Sequence, residues 1–415
     1  MKKILALVFA LMMVFSCIQI AAAEEPIEIE FFQHKDEAEV DIFDEMIQVF
    51  EAEHPGIKIK QVHFPEEEAD TILSTRIQNN DAPDIWNTWF SQEVFTQADE
   101  GIILDLTGSE ILDPVSEKAL NDTAYNGRNY MIPVTSNFMG VFYNKTLFDE
   151  KGYKIPETPE EFWALCEQIK ADGLIPIAAG DMDGWNLAHW IQSVIGEYMP
   201  NYSAEFLKVY DGEMTVAEME GIEDVADIIV KRSQYVQDGP LGADSSAMLA
   251  LFVNGEAAMM ANGSYWIPSI DAAEPDFEYA VFPFPGRTKE ETLVQSNADL
   301  AFVISAKASA EKQEAAKTFL SWITHEGAKI YIDATGAPSC LKDITPDTSK
   351  YSLIAPYLDE GKTFRMPYSG RWADNTYYDY TVAVQNLTDT GDKEAFYSEF
   401  NDALVNNGKP ETYVD

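Results

Sequence analysis

Past its first two dozen residues the chain opens on alternation. "IEIEFF", from Ile27, sets apolar and charged side chains by turns and predicts a strand. In "DEAEVDIFDEMIQVFEAEHPGIKIKQV" the period changes to that of a helix. Val40, Phe43, Met46, Ile47 and Phe50 share one face, the pattern stops at "HPG", and Ile57, Ile59 and Val62 alternate again. Strand, helix, strand is the unit from which parallel sheets are built. A second helix is expected around Ala69 to Asn79, and "APDIWNTW" reads as the next strand, ending in aromatics.

The same alphabet continues downstream. "TSNFMGVFYNKTLFDEKGY" is an apolar strand running into a short helix. "TPEEFWALCEQIKADG" opens with Thr158 as N-cap, Pro159 at the first helical position and Glu161 three residues on, a capping box, and stops at Gly173. "LIPIAA" is another strand and delivers the chain to "GDMDGWNLAHW", residues 180 to 190. Helices follow to about residue 260, "EYAVFPFPG" and "LAFVIS" read as strands, and Ala316, Phe319, Leu320 and Ile323 line one face of a late helix ending at Gly336. There is no internal repeat, low-complexity tract or Ser/Gly/Pro linker. A length of 415 residues suggests about two domains, and without a linker the chain is expected to pass between them more than once.

The amino terminus changes the compartment. "MKKILALVFALMMVFSCIQIAAAEEP" has two lysines, an apolar run from Ile4 to Phe15 and small residues at Ala21 to Ala23, so residues 1–23 read as a secretory signal. "VFSC" loosely resembles a lipoprotein box with Cys17 as the acylated residue. Bulky Phe15 and the apolar "IQIAAA" favour cleavage after Ala23 instead, leaving a secreted or periplasmic protein, with a tether to the outer face of the membrane as the alternative. Lysine and arginine number 28 against 71 acids, a formal charge of −43, which repels nucleic acid and anionic membrane. Hydrophobic and aromatic fractions of 46% and 12% are enough for a sizeable core. Beyond Cys17 only Cys166 and Cys340 remain, in a helix and a loop; two separate buried thiols are expected rather than a bridge.

Enzyme motifs are scarce. The histidines, at 34, 54, 63, 189 and 325, have no H-E-x-x-H spacing, and neither a G-x-S-x-G elbow nor a G-x-x-x-x-G-K loop occurs. "DMDG" has the start of a calcium loop without its later ligands, so neither metal nor cofactor is expected. The acidic excess supplies many carboxylate pairs, and a secreted glycoside-active enzyme stays open as an alternative.

Several phrases, in order, carry a resemblance: "FFQHKDEAEVDIFDEMIQVFEAEHPGIKI", "APDIWNTWF" with "EGIILDLT", "YNKTLFDEKGY", "TPEEFWALC", "FVNGEAAMMANGSYW", "AAKTFLSWIT" and "TGAPS". Together they resemble the extracellular solute-binding proteins of carbohydrate ABC transporters, the maltose-binding-like group. Pro159 departs from that pattern, which usually has tryptophan there. The resemblance implies two α/β lobes, each a mostly parallel sheet flanked by helices, with a ligand cleft between them. It puts crossings near 134 to 136, 295 to 298 and 338 to 342. The first lobe is then 24–134 plus 297–338, the second 135–296 plus 339–415. It also implies a monomer that captures a mono- or oligosaccharide, or another polar solute such as a polyol, and delivers it to ABC permease subunits.

A sugar presents hydroxyls at its edge and C–H groups on its faces, so its site wants an aromatic plate with carboxylate and amide partners. Trp185, expected on a loop after "LIPIAA", suits a plate, whereas Trp190 falls at helical spacing and is expected to pack. By resemblance, Tyr265 or Trp266 of "NGSYW" stacks on sugar. Trp89 is preferred over Trp86, lying further into its loop. Lys35 and Glu37 match the hydrogen-bonding segment of the first lobe, although a solvated helix start explains the same charges. Asn137 follows the first crossing and Asp299 the second. The tail "SGRWADNTYYDY" offers Arg371, Trp372 and Tyr377.

Overall fold

The computed structural model describes residues 25–35, 37–64, 66–410 and 413. The leader, Cys17 and the cleavage after Ala23 lie outside them, as does the Glu37 side chain.

Two sheets organise the chain. The first has strand order β2-β1-β3-β10-β4, from Ile57–His63, Ile27–Gln33, Ile85–Thr88, Ala301–Ile304 and Ile132–Pro133. β1 pairs in parallel with β2, Ile29 opposite Ile59, and with β3, Phe31 opposite Ile85. Strand alternation then sends neighbours to opposite faces. Phe31 packs with Phe43, Phe302 and Phe319 in one core, while Phe32 packs with Trp86, Phe95 and Val303 in the other. The second sheet has order β6-β7-β5-β8, from Ile175–Ala178, Ala257–Gly263, Met139–Asn144 and Tyr279–Phe282. Val141 and Tyr143 enter one core, Phe142 the other. Because both faces of each sheet are covered, strands such as "AAMMANG" are buried along their whole length. A short parallel pair, β9 (Val294–Gln295) with β11 (Thr363–Phe364), stands apart.

The sheets are mixed, where mostly parallel ones were expected. β10 runs antiparallel to β3 and β4, and β5 antiparallel to β7 and β8. The cause is the route of the chain: β5 and β10 each start where the chain has just crossed between sheets, so they run away from the end at which β1, β3 and β7 finish. Helix Pro159–Ala171 follows its sequence signals, with the Thr158 side chain accepting from Glu161 N and Gly173 at φ +84°.

Three crossing segments lie side by side. Cys340 N donates to Val134 O at 2.9 Å, Ser136 N to Pro338 O at 2.9 Å, and Asn137 N to Asn297 O at 2.8 Å. Packing on the first sheet continues just past residue 338, within the crossing expected at 338 to 342. Cys340 and Leu341 are buried with Ile111, Leu112 and Val115 in the core of the first sheet, and Tyr351 and Ile354 join the second. Cys166 and Cys340 are free thiols in separate cores, and burial pushes both pKa values up, that of Cys340 to about 12.

Candidate functional site

β7 ends at Gly263, and the single turn Ser264–Trp266 follows. Any Cβ at 263 would stand 2.1 Å from the Tyr265 ring, so only glycine lets that ring fold back over the strand end. Ser264 ties the turn to the first crossing: its N donates to Phe138 O at 2.8 Å and its Oγ accepts from Phe138 N at 3.1 Å. Trp185 comes to the same place from β6. It stands in the first turn of helix Gly184–Tyr198 rather than on the loop that was expected. The Trp185 and Trp266 rings are parallel to within 6°, with centroids 6.4 Å apart, and Tyr265 and His189 lie 6.2 and 5.6 Å from Trp185. All four are partly exposed. The result is a wall of rings.

A relay of hydrogen bonds braces this wall. Asp183 accepts from Ser245 N and Oγ, Asn186 Nδ2 donates to Ser245 Oγ at 2.6 Å, and Asn262 Nδ2 donates to Asn186 Oδ1 at 2.9 Å. Tyr265 OH then donates to Asn262 Oδ1 at 2.7 Å and lies 3.3 Å from His189 Nδ1. Desolvation lowers the His189 pKa to about 4, so the ring is neutral near pH 7. Since the tyrosine proton is committed to Asn262, His189 Nδ1 carries the proton that it donates to Tyr265. Asn186, Asn262 and His189 were not singled out in the sequence, because single amides on a helix and a strand carry no local signature.

Opposite in character is a polar cluster at the crossings. Lys35 Nζ and Asp299 Oδ2 form an ion pair at 2.9 Å, with side chains only 12% and 19% exposed. Asn137 Nδ2 donates weakly to Asp299 Oδ1 at 3.4 Å, and Asn137 Oδ1 accepts from Asn297 N at 3.2 Å. Lys35 N donates to Gln33 Oε1 at 2.8 Å, which fixes the backbone turn after β1. Trp89 is half-buried and takes the neighbouring His34 edge-on at 4.6 Å and 88°, while Trp86 is fully buried. Burial first, then the charges of Lys35 and His63, lower the His34 pKa to about 3. Phe138 links the two halves of the site, since Asn137 precedes it and Ser264 bonds to it.

Two expected ligand contacts are instead structural. Trp372 is 2% exposed and packs among Phe206, Tyr380 and Phe400. Arg371 is buried, donating to Ser203 Oγ at 3.0 Å and to the carbonyls of Pro367 and Ser369, with its guanidinium over Tyr202. Both face inward because the segment after β11 is wedged between helices Tyr202–Tyr210 and Lys393–Asn407. Tyr377 remains near the wall, 5.9 Å from His189. Trp190 is core, edge-on to Phe284 and under Arg232. In "DMDG", Asp181 is buried in a bidentate pair with Arg232 at 2.8 and 2.9 Å, and Asp183 serves Ser245. Arg365, not singled out in sequence, extends from β11 to the first lobe, 5.0 Å over Phe90 and bonded to Asp122 O at 3.3 Å.

Known proteins share this architecture. The family described as bacterial extracellular solute-binding protein matches residues 45–356. The multiple sugar-binding protein of Streptococcus mutans is 31% identical over 344 residues, covering 80% of this chain and 79% of that one. MelE of Bacillus subtilis, a melibiose/raffinose/stachyose-binding protein, is 20% identical over 78% of each chain. The structure is similar to the binding protein RafE in complex with raffinose, with a TM-score of 0.82 and 26% identity over 92% of this chain and 99% of the other.

Proposed function

The chain belongs to the bacterial extracellular solute-binding protein family, and on that premise we propose that it is the sugar receptor of an ABC importer. It captures a mono- or oligosaccharide in a cleft between two α/β lobes and delivers it to permease subunits. The observation that carries this reading is the wall of Trp185, Trp266 and Tyr265 beside the Lys35, Asp299 and Asn137 cluster. Indole faces cover the C–H faces of a sugar ring, and a carboxylate, an ammonium and an amide exchange their mutual bonds for those of its hydroxyls. Trp89 adds a second ring from the first lobe. The relatives suggest the series melibiose, raffinose and stachyose as first ligands.

A ligand that touches both sides favours the closed arrangement by its extra contacts there, and the adjacent crossing segments are the hinge about which the lobes close. The receptor works as a monomer outside the cytoplasmic membrane, after cleavage of its leader, and releases its sugar unchanged. No helix among the described residues is long and apolar enough to cross a membrane. Calorimetry with melibiose, raffinose, stachyose and a maltose series, followed by chromatography of the recovered sugars, tests the proposal. Saturable binding with intact sugars is expected; cleavage products would reassign the cleft to a glycoside-active enzyme.

A further inference from the structure

We propose that Arg232 is a positioning residue for Trp185: by tying Asp181 to Trp190 it fixes the angle at which the indole of Trp185 is presented, without touching a ligand itself. The inference goes beyond the sugar-receptor reading and leans on it for only one of its readouts. The chain reaches Trp185 through residues 179–183, which leave β6 and enter helix Gly184–Tyr198. Arg232 is the last residue of helix Ile222–Arg232. Its two terminal nitrogens donate to the two oxygens of Asp181 at 2.8 and 2.9 Å, and both side chains are buried. The same guanidinium lies 5.4 Å from the centre of the Trp190 ring. One planar group therefore joins the loop before the helix to the second turn of the helix, and Trp185 stands between the two ties.

A second set of ties runs to a different segment. Asp181 N donates to Pro240 O at 3.1 Å, Met182 N to Ala243 O at 3.0 Å, and Asp183 accepts from Ser245 N at 2.7 Å. Gly180 is pressed so closely on Asp244 that a Cβ would lie 2.7 Å from its carbonyl oxygen. Ties to two segments fix an orientation that ties to one would leave free to turn, and Arg232 supplies the second.

Stability does not account for the pair. The desolvation of two buried charges offsets most of their attraction, and apolar residues of similar volume often replace such a pair without loss. Here the cost is higher still, since Arg232 Nε is buried with no hydrogen-bond partner among the described residues. What an apolar pair lacks is direction. A fork of two N–H donors meeting a planar carboxylate admits one mutual orientation. The wall has a use for that direction, because the Trp185 and Trp266 rings are parallel to within 6° at 6.4 Å, and a tilt of the first helical turn would spoil the match.

The test uses the mature protein, Trp185→Ala as a reference, the apolar double variant Asp181→Leu with Arg232→Met, and Arg232→Lys, which keeps the charge and loses the fork. Near-UV circular dichroism reports indoles held in one orientation, and the part lost in Trp185→Ala belongs to Trp185. The double variant should melt within a few degrees of the parent, lose most of the Trp185 signal and bind raffinose about tenfold more weakly, short of the roughly 30-fold expected for Trp185→Ala. Arg232→Lys should fold and fall between the parent and the double variant in both readouts. A folded double variant that keeps the signal makes the pair merely structural and overturns the proposal, whatever its affinity. If the double variant does not fold, Arg232→Lys decides: a full signal overturns the proposal and a partial one supports it. Failure of both to fold overturns it as well, because the pair would then serve folding. Loss of the signal with raffinose affinity intact would support the positioning role and remove Trp185 from the sugar site. If the parent binds no raffinose, the receptor reading fails for that sugar, and dichroism alone still decides the role of Arg232.

Discussion

In the proposed receptor, the two sides of the cleft would meet one sugar with different chemistry. The second lobe offers rings braced from behind by a relay of neutral side chains, Asp183 excepted. The first lobe and the crossings offer polar groups already partnered with each other, Lys35 paired with Asp299, which also accepts from the Asn137 amide. A ring contributes contact area without asking for a particular hydroxyl, so on the proposed reading the wall should supply most of the affinity. A charge-assisted hydrogen bond is directional and must first be exchanged, so on the same reading the cluster should supply discrimination at a smaller net gain. Next to it, Tyr377 lies 5.9 Å from His189 and 4.7 Å from Tyr368, which in turn meets the buried Trp372 at 6.1 Å.

That contrast can be broken most severely from behind. Trp372→Ala removes a fully packed indole and should cost about 3 to 5 kcal/mol of stability, read in denaturant melts. Folded Trp372→Ala protein should keep nearly normal sugar affinity, because the side chain meets other core residues and not the cleft. Next in size, Trp185→Ala should weaken sugar binding by roughly 30-fold, with melting shifted by no more than a few degrees. A variant that binds normally but melts early would make Trp185 a core residue and move the stacking role to Trp266.

On the polar side, Asp299→Asn keeps the shape and removes the charge that holds Lys35. Sugar affinity should fall by about 5- to 10-fold by calorimetry, less than for Trp185→Ala, and more for some sugars than for others. A uniform loss across a sugar panel would show that the cluster contributes no discrimination. Acidification probes both sides at once. His189 is held down to about 4 and His34 to about 3, whereas an unfolded histidine titrates near 6.5. Between these values the unfolded chain binds more protons, so both residues contribute stability that is complete above about pH 6.5 and is lost as pH falls toward 4. Thermal melts from pH 7 to pH 4.5 should decline, and His189→Gln should flatten part of that slope.

Periodicity made much of the fold legible. The 2-residue and 3.6-residue patterns from Ile27 to Val62 correspond to β1, helix Glu37–Glu53 and β2, and the Thr158 cap and Gly173 stop bound their helix. Antiparallel pairing was not legible, since a strand buried on both faces reads alike in either direction. Of the proposed site, the aromatic cluster was the legible part. Trp185 stood out as a ring in a polar stretch after a strand, and Tyr265 and Trp266 by resemblance, whereas Trp372 was named for its aromatic, polar tail segment and is packed by Phe206 and Phe400 from two other helices and by Tyr380.

By itself the sequence determined the alternation of strands and helices, the acidic surface and the family, because these rest on local spacing, composition and ordered short motifs. Only the tertiary structure decided which rings stay partly exposed and which are core, that Asp181 belongs to Arg232, and that Lys35 meets Asp299 across 264 positions. Burial and long-range partnership are properties of packing, and a residue name says what a side chain can do without saying what will stand beside it.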